Sequence, residues 1–461
     1  MFIAICILIT TCLIIPGLGV MQSYSGVPMD AAFSQYLGIV ALLGMSYCYI
    51  LATRFKLVES LFGGLDKSYV FHKWLGLGSL AVIFLHDQID AEIKSLGSPS
   101  MGELAEDLGG LGFDGLQVLL LITVITLIPY ALWKFTHKFI GVLFVLSVLH
   151  FAWMPKPFDL TSPLGLYVLS ICGLGILSYL YTLSSGFARA SKSHNPLKGT
   201  RQYKVISKDL TGDIVSFELA PIQKGIRHQA GQFSFISFDH AKLKEIHPFT
   251  ISKAPNQEGN LRFSIKALGD YTKALPKHLE IGITANVSKA YGHFGKKLGK
   301  RNEVWIAAGI GITPFVAMAQ ALSEQKESSD KETHLFYCVQ SKQQAIHLEE
   351  LEKIAARCSR FHVHLCESSL GKRISLNLIK ESIGFELKKA SISFCGPSKL
   401  RKTLQDWFKS ESVPSRNFHY EVFEIRSGIG LNPIVSWILK VLLARFPKIK
   451  QVWARLPFTQ Q

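Results

Sequence analysis

The hydrophobic rhythm of the chain changes twice. Through about residue 190 the apolar positions come in long runs. From Tyr203 they alternate with polar ones in short segments. From Glu303 brief apolar runs are separated by helix-length stretches. No charged residue precedes Asp30, and Phe2–Val20 is apolar over about the length of a bilayer span. It lacks the Lys/Arg-bearing start of a signal peptide, so a first membrane helix is expected. Further spans are expected at Phe33–Thr53, Val70–His86, Leu116–Trp133, Phe139–Met154 and Pro163–Phe187, giving a six-helix transmembrane bundle over 1–190. Ala190–Thr200 is polar and rich in breakers, as a linker would be. Tyr203–Ile206, Ile214–Leu219 and Phe233–Phe238 read as strands of a small antiparallel β-barrel over 200–298.

Glu303–Ala308, Leu335–Val339, Phe361–Cys366 and Ser391–Phe394 read as buried strands, Val316–Leu322 as a helix, and Phe418–Phe423 as the closing segment of an α/β domain over 299–425. The last stretch, 426–461, mixes Trp437, Ile438, Val441 and Leu442 with Lys440 and Arg445. It is too short and charged to span. A basic amphipathic helix on the inner leaflet and packing on the α/β domain both fit it.

Charge sets orientation. The formal net charge is +16, with no lone basic arm, so nucleic acid is not an expected partner. Arg54, Lys56, Lys67 and Lys73 lie between spans two and three, Lys134 and Lys138 between four and five, and Arg189 and Lys192 after six. The opposite side holds only Lys94 and Lys156, and its loop after span three is acidic, with Asp87, Asp90, Glu92, Glu103, Glu106, Asp107 and Asp114. Both termini and the C-terminal domains are therefore expected in the cytoplasm, on a bacterial inner or plasma membrane whose lipid is the first partner. The 8 Cys form no Cys-x-x-Cys pair and no iron–sulfur spacing.

The first 190 residues contain four histidines: His72 and His86 at the ends of span three, His137 and His150 at the ends of span five. Imidazoles at membrane depth are costly and usually functional. A spacing of 14 corresponds to about 21 Å of helix rise and falls about 40° short of four turns, so His72 and His86 can share a face. A spacing of 13 leaves about 140°, which a tilt, kink or unwinding must absorb for His137 and His150. Two helices offering imidazoles at two levels suit axial ligation of two b-type haems: His72 with His137 on the cytoplasmic level, His86 with His150 on the outer level.

The later domains carry motifs. His247-Pro248-Phe249-Thr250-Ile251-Ser252 is a strand end offering Thr250 and Ser252 hydroxyls and backbone amides, with His247 a further donor. Downstream, Lys266 adds charge, Gly269 permits close approach, and Thr272 is expected to N-cap a helix whose start suits an anion. Gly309-Ile310-Gly311-Ile312-Thr313-Pro314-Phe315 follows a strand and opens a helix, where amides meet a pyrophosphate. Cys395-Gly396-Pro397 ends another strand.

With Ala230-Gly231-Gln232-Phe233, these runs and the 14 and 13 histidine spacings resemble the NADPH oxidase and ferric reductase superfamily over roughly residues 35–425. The resemblance implies FAD at His247–Ser252 and at Gly269–Thr272. It implies a nicotinamide dinucleotide at Gly309–Pro314, with Cys395, Gly396 and Pro397 beside the reacting ring. It also implies Phe423 stacked on the flavin, with Glu421 nearby. Many relatives place an Arg for the 2′-phosphate where this chain has Gln340-Ser341-Lys342; Lys342 can serve as a point charge, which favours NADPH over NADH. The expected function is outward electron transfer from cytoplasmic NAD(P)H through FAD and two haems to a small-molecule acceptor, as a ferric or other metal-chelate reductase. Alternatives are a superoxide-generating oxidase acting on oxygen, a haem subunit serving a partner redox protein, and a membrane-anchored flavin reductase with structural histidines.

Overall fold

A computed structural model describes residues 2–24, 26–62, 64–89, 93, 101–124, 130–187, 200–295, 302–324 and 331–421. The chain divides into two compact units, with the break after Ala188.

The first unit is helical. Among the described residues five helices are long and apolar enough to cross a membrane: Ile3–Ser23, Met29–Ala52, Lys67–Gln88, Leu132–Trp153 and Pro163–Ser184. Met29–Ala52, at 24 residues, is about 36 Å long. Apolar side chains alone do not bring helices together in lipid, so small residues set the approach. A Cβ on Gly44 would lie 2.2 Å from Ser79 Oγ, and one on Gly175 would lie 2.9 Å from Ser46. The expected fourth span, Leu116–Trp133, is described only on either side of residues 125–129. Its first part belongs to a helix Gly102–Val124, residues 125–129 lie outside the described set, and a second helix runs Tyr130–His137. Glu103, Glu106, Asp107 and Asp114, expected in a loop, are on the Gly102–Val124 helix. Leucines at Leu104, Leu108 and Leu111 recur there at helical spacing, a period the loop reading overlooked.

The second unit holds two sheets. The first is antiparallel and curled: β1 (Arg201–Thr211), β2 (Ile214–Pro221), β3 (Phe233–Phe238), β4 (His247–Thr250), β5 (Leu261–Lys266) and β6 (Thr284–Tyr291), in the order β4-β3-β6-β1-β2-β5. The two ends of this order meet just past β4, where the Ser252 amide donates to the Arg262 carbonyl on β5 at 2.8 Å. Phe217, Phe238 and Phe263 fill the interior. The second sheet is parallel: β7 (Glu303–Ala308), β8 (Thr333–Val339), β9 (Phe361–Glu367), β10 (Ser391–Cys395) and β11 (Phe418–Tyr420), in the order β11-β10-β7-β8-β9. The chain leaves β7 in one direction to build β8 and β9, then returns to its other side for β10. The carboxyl ends of β7 and β10 thus flank a topological switch point, where open α/β sheets bind ligands. The segment 426–461 and Phe423 lie outside the described residues.

Candidate functional site

His72 and His86 lie on one helix, Leu65–Gln88. His137 ends the helix Tyr130–His137, and His150 lies in Ile140–Trp153. Between these two helices, Lys138 and Phe139 form a tight turn, their amides donating three residues back to Phe135 and Thr136. That turn interrupts the straight helix between His137 and His150. The rings meet in two pairs: His72 and His137 with centroids 6.1 Å apart, His86 and His150 at 6.5 Å.

The partners of Nδ1 fix the tautomers. His72 Nδ1 lies 2.9 Å from the Cys48 carbonyl, His86 Nδ1 2.8 Å from the Ser34 carbonyl, and His150 Nδ1 2.7 Å from the Ala105 carbonyl. A carbonyl only accepts, so each Nδ1 carries the proton and each Nε2 keeps its lone pair. His137 Nδ1 is 3.4 Å from Thr123 Oγ1, whose own proton goes to the Leu119 carbonyl. Four imidazoles presenting unprotonated Nε2 in two facing pairs are the donor set a bis-imidazole metal centre requires. Glycines make the room. A Cβ on Gly38 would lie 3.3 Å from His86 Nε2, and one on Gly109 2.5 Å from His150 Nδ1. A cavity is lined by His86 and His150 together with Gly38, Gly109, Phe113, Leu116, Phe151 and Lys156.

In the antiparallel sheet, β4 is an end strand, which suits the exposed Pro248. His247 and Phe249 project on one side, and both lie against Tyr271: His247 with centroids 3.9 Å apart, Phe249 at 6.4 Å. His247 Nε2 also sits 3.1 Å from a Glu245 carboxylate oxygen. Tyr271 was not singled out by the sequence, although it is the aromatic of the Gly269–Thr272 segment. Thr250 and Ser252 are buried. The Ser252 hydroxyl is committed elsewhere than expected: it donates to the Arg262 carbonyl at 3.1 Å, and Arg262 Nη2 donates back to the Ser252 carbonyl at 2.7 Å. Thr272 is not an N-cap. The helix is Asp270–His278 with Gly269 at its cap, and the Thr272 hydroxyl, one turn in, accepts from the amides of Leu268 and Gly269, both at 2.9 Å. Lys266 forms a 3.5 Å ion pair with Asp213.

At the switch point, Gly309 (φ +54°) turns the chain out of β7 into a short 3-10 segment, and the helix Thr313–Ser323 follows with Pro314 in its first turn. Thr313 Oγ1 donates to the Ile310 carbonyl at 3.2 Å. After β10, Gly396 and Pro397 lead into the helix Ser398–Ser410. The two loops pack backbone to backbone. A Cβ on Gly311 would lie 2.2 Å from the Cys395 carbonyl oxygen, and one on Gly396 2.8 Å from Ala308 Cβ. Cys395 is buried, and burial, reinforced by the charge of Glu421, pushes its thiol well above the usual range. It is therefore no thiolate nucleophile. Glu421 also approaches the antiparallel sheet: a Cβ on Gly292 would be 3.3 Å from its Oε1. Lys342 is exposed after β8, and its amide donates to the Glu367 carboxylate at 2.7 Å.

A polar seam joins the two sheets. Arg262 Nη1 pairs with Glu350 at 2.9 Å, His347 Nδ1 lies 3.4 Å from the same carboxylate, His347 Nε2 is 2.8 Å from Ser264 Oγ, and Gln320 donates to Glu350. Burial opposes ionisation of Glu350, but the His347 hydrogen bond and then the Arg262 charge outweigh it and hold the carboxyl at about 2. This pKa is depressed on folding, so its contribution is complete above the unfolded value of about 4.3 and is lost as pH falls toward 2. Glu350→Gln is expected to cost on the order of 2 kcal/mol at pH 7, about half of that at pH 3 and little at pH 1, read from thermal unfolding of both chains at pH 7 and pH 3. An equal cost at both pH values would contradict the assignment.

Three family models match in succession: a ferric reductase like transmembrane component over residues 37–148, an FAD-binding domain over 198–298, and an oxidoreductase NAD-binding domain over 305–406. Among curated proteins, the chain is 22% identical over 237 residues to a flavohemoprotein of Pseudomonas putida, covering 49% of this chain and 59% of that protein. It is 24% identical over 173 residues to the toluate 1,2-dioxygenase electron transfer component of Pseudomonas putida, covering 36% of this chain and 51% of that one. The match thus spans little more than half of each of these two relatives. Among solved structures, a flavohemoglobin from Malassezia yamatoensis aligns with TM-score 0.50 and 17% identity over 88% of this chain and 98% of that one, a likeness of fold alone.

Proposed function

The chain has the three-part architecture of the NADPH oxidase and ferric reductase superfamily, and on that premise we propose that it carries electrons from cytoplasmic NAD(P)H through FAD and two b-type haems to an acceptor on the outer face. The observation that carries this reading is the pairing of four imidazoles at two levels, each with Nδ1 bonded within the protein. In this reading Gly102–Val124 is a sixth membrane helix, and the curled sheet is a flavin-binding barrel.

FAD, when bound, supplies the exchange between a two-electron hydride donor and one-electron carriers, and b-type haems supply the one-electron relay. The protein's own residues position these groups. His72 with His137, and His86 with His150, would hold the two haem irons. Their Nδ1 bonds aim and polarise the imidazoles. His247, Phe249 and Tyr271 form an aromatic wall for the flavin, with Pro248 and Thr250 on the same strand. Lys266, Gly269 and the Thr272 turn border its phosphates, and Ser252 braces the strand through Arg262. Gly309, Gly311, Thr313 and Pro314 offer the dinucleotide a bare backbone and a helix start. Cys395, Gly396, Pro397 and Glu421 would border the nicotinamide; Phe423, outside the described residues, is kept as the aromatic that the resemblance assigns to the flavin. Lys342 faces the 2′-phosphate of NADPH.

The acceptor we favour is a ferric or other metal chelate. The acidic turns at Glu103, Glu106 and Asp107 lie at the start of the helix that ends beyond Thr123, on the His150 side, and they attract cationic species. The test is reoxidation of the NAD(P)H-reduced Soret band after mixing with ferric chelate or with oxygen. Fast oxidation by the chelate alone supports the reductase. Fast oxidation by oxygen with superoxide release makes it an oxidase. Slow oxidation by both points to a partner protein. Gly109→Ala drives a Cβ into the His150 ring. It is expected to lower bound low-spin haem from two per chain to about one, read by pyridine haemochrome. Full haem content would contradict the role of His150.

A further inference from the structure

The parallel sheet carries a second cluster of imidazoles, away from its switch point. His334 and His362 are the second residues of β8 and β9 and stand opposite each other in the parallel register, so both project from one face. His364, two residues on, shares that face. Glu332 immediately precedes β8. The donor atoms of Glu332, His334 and His362 all lie within 4.8 Å of one another.

We propose that Glu332, His334 and His362 form a binding site for a divalent transition-metal ion of the zinc class. Bonds of about 2 Å to nitrogen and oxygen require each donor to move by less than about 1 Å from these positions. The donor set, two imidazoles and a carboxylate, suits borderline ions and discriminates against Mg2+ and Ca2+. Two observations show that the set is held in place. His334 is buried, and its Nε2 lies 3.3 Å from the Glu332 carboxylate while its Nδ1 lies 3.0 Å from His364 Nε2. An ion on His334 Nε2 leaves the proton on Nδ1, which donates to His364. That is the outer bond that orients a metal-bound imidazole. His364 in turn stacks on Phe336 at 4.6 Å and 16°, and Phe385 packs edge-on against His334 at 5.7 Å.

The site sits at the amino ends of β8 and β9. Five residues of β8, or about 17 Å, separate His334 from the carboxyl end of the sheet, where Lys342 and Glu367 lie. The ion therefore clasps two strands and the segment entering β8 rather than touching the reacting groups, and its effects are on affinity for metal and on stability.

The test uses the full chain in detergent with its cofactors bound, stripped by chelator and dialysed against radioactive Zn2+ in excess Mg2+. One high-affinity Zn2+ per chain is expected. His362→Gln and Glu332→Gln, at partly exposed positions, are each expected to weaken it by about 100-fold or more, and His364→Ala by about 10-fold. Zn2+ is expected to raise the unfolding temperature of the unaltered chain and not that of His362→Gln. The proposal is overturned if the unaltered chain binds no Zn2+ under these conditions, or if His362→Gln and Glu332→Gln bind it as tightly as the unaltered chain.

Discussion

His72→Leu is expected to abolish reduction of an outer-face acceptor while leaving the NAD(P)H-driven reduction of a soluble dye at the flavin within about twofold. The imidazole supplies two things leucine cannot: an Nε2 lone pair on a ring whose centroid lies 6.1 Å from that of His137, and an Nδ1 bond to the Cys48 carbonyl. Loss of one axial ligand interrupts a serial path, so the outer-face rate is expected to fall by about 100-fold or more, at least 2.7 kcal/mol in barrier terms. Both rates are measured on one preparation in sealed vesicles, with a membrane-impermeant ferric chelate on the outer side. Leucine has similar bulk and is at home in a membrane helix, so the fold is expected to survive. Unchanged outer-face reduction would remove His72 from the path.

Gly311→Ala is expected to have the other large effect. Its Cβ would lie 2.2 Å from the Cys395 carbonyl oxygen and 2.7 Å from the carbonyl carbon. These are backbone atoms between the end of β10 and Gly396, and they cannot swing aside. The loops after β7 and β10 must separate, and both border the proposed nicotinamide site. A displacement of about 1 Å at a reacting geometry costs about 100-fold, so kcat/KM for NAD(P)H is expected to fall by that factor. Dithionite reduction of the haems and the FAD content are expected to stay unchanged. Gly309→Ala is the contrast. It has no atom within 4 Å of its added Cβ, only a φ of +54° to strain. It is expected to cost about 1–2 kcal/mol of stability with a smaller loss of kcat/KM. Wild-type kcat/KM in Gly311→Ala would show that the packed loops do not set the hydride geometry.

Several features were legible because one local pattern decided each. The run Phe233–Phe238 has the bounds of β3, and Glu303–Ala308 those of β7, since bulky apolar residues between polar breaks leave little choice. The two imidazole pairs could be read from spacing on charge-poor helices. The way the second pair is achieved could not: a spacing of 13 is wrong for a straight helix, and the turn at Lys138–Phe139 carries no proline or glycine to announce it. Strand β6, Thr284–Tyr291, has no clear signal in the sequence because its buried positions before the closing Tyr291 are Ala285, Val287 and Ser288, which alternate little in hydropathy. The Gly269–Thr272 segment was placed correctly at a helix start, yet the hydroxyl proved to sit at the third helical position. Capping there depends on a reach of three residues that the sequence permits in either direction. The Arg262–Glu350 pair joins residues 88 apart, and the clasp of Ser252, just past β4, on Arg262 of β5 joins residues ten apart. Neither has a local signature. The histidines His334, His362 and His364 drew no attention because their proximity arises only once β8 and β9 pair in register.

The most direct test of the electron path is anaerobic mixing of the purified chain with NAD(P)H while the Soret band is followed. The account predicts flavin bleaching followed by haem reduction, with reducing equivalents filling two haems per chain, and with haem reduction lost in His72→Leu while flavin bleaching persists. Flavin bleaching with no change in the Soret band of the unaltered chain would contradict it.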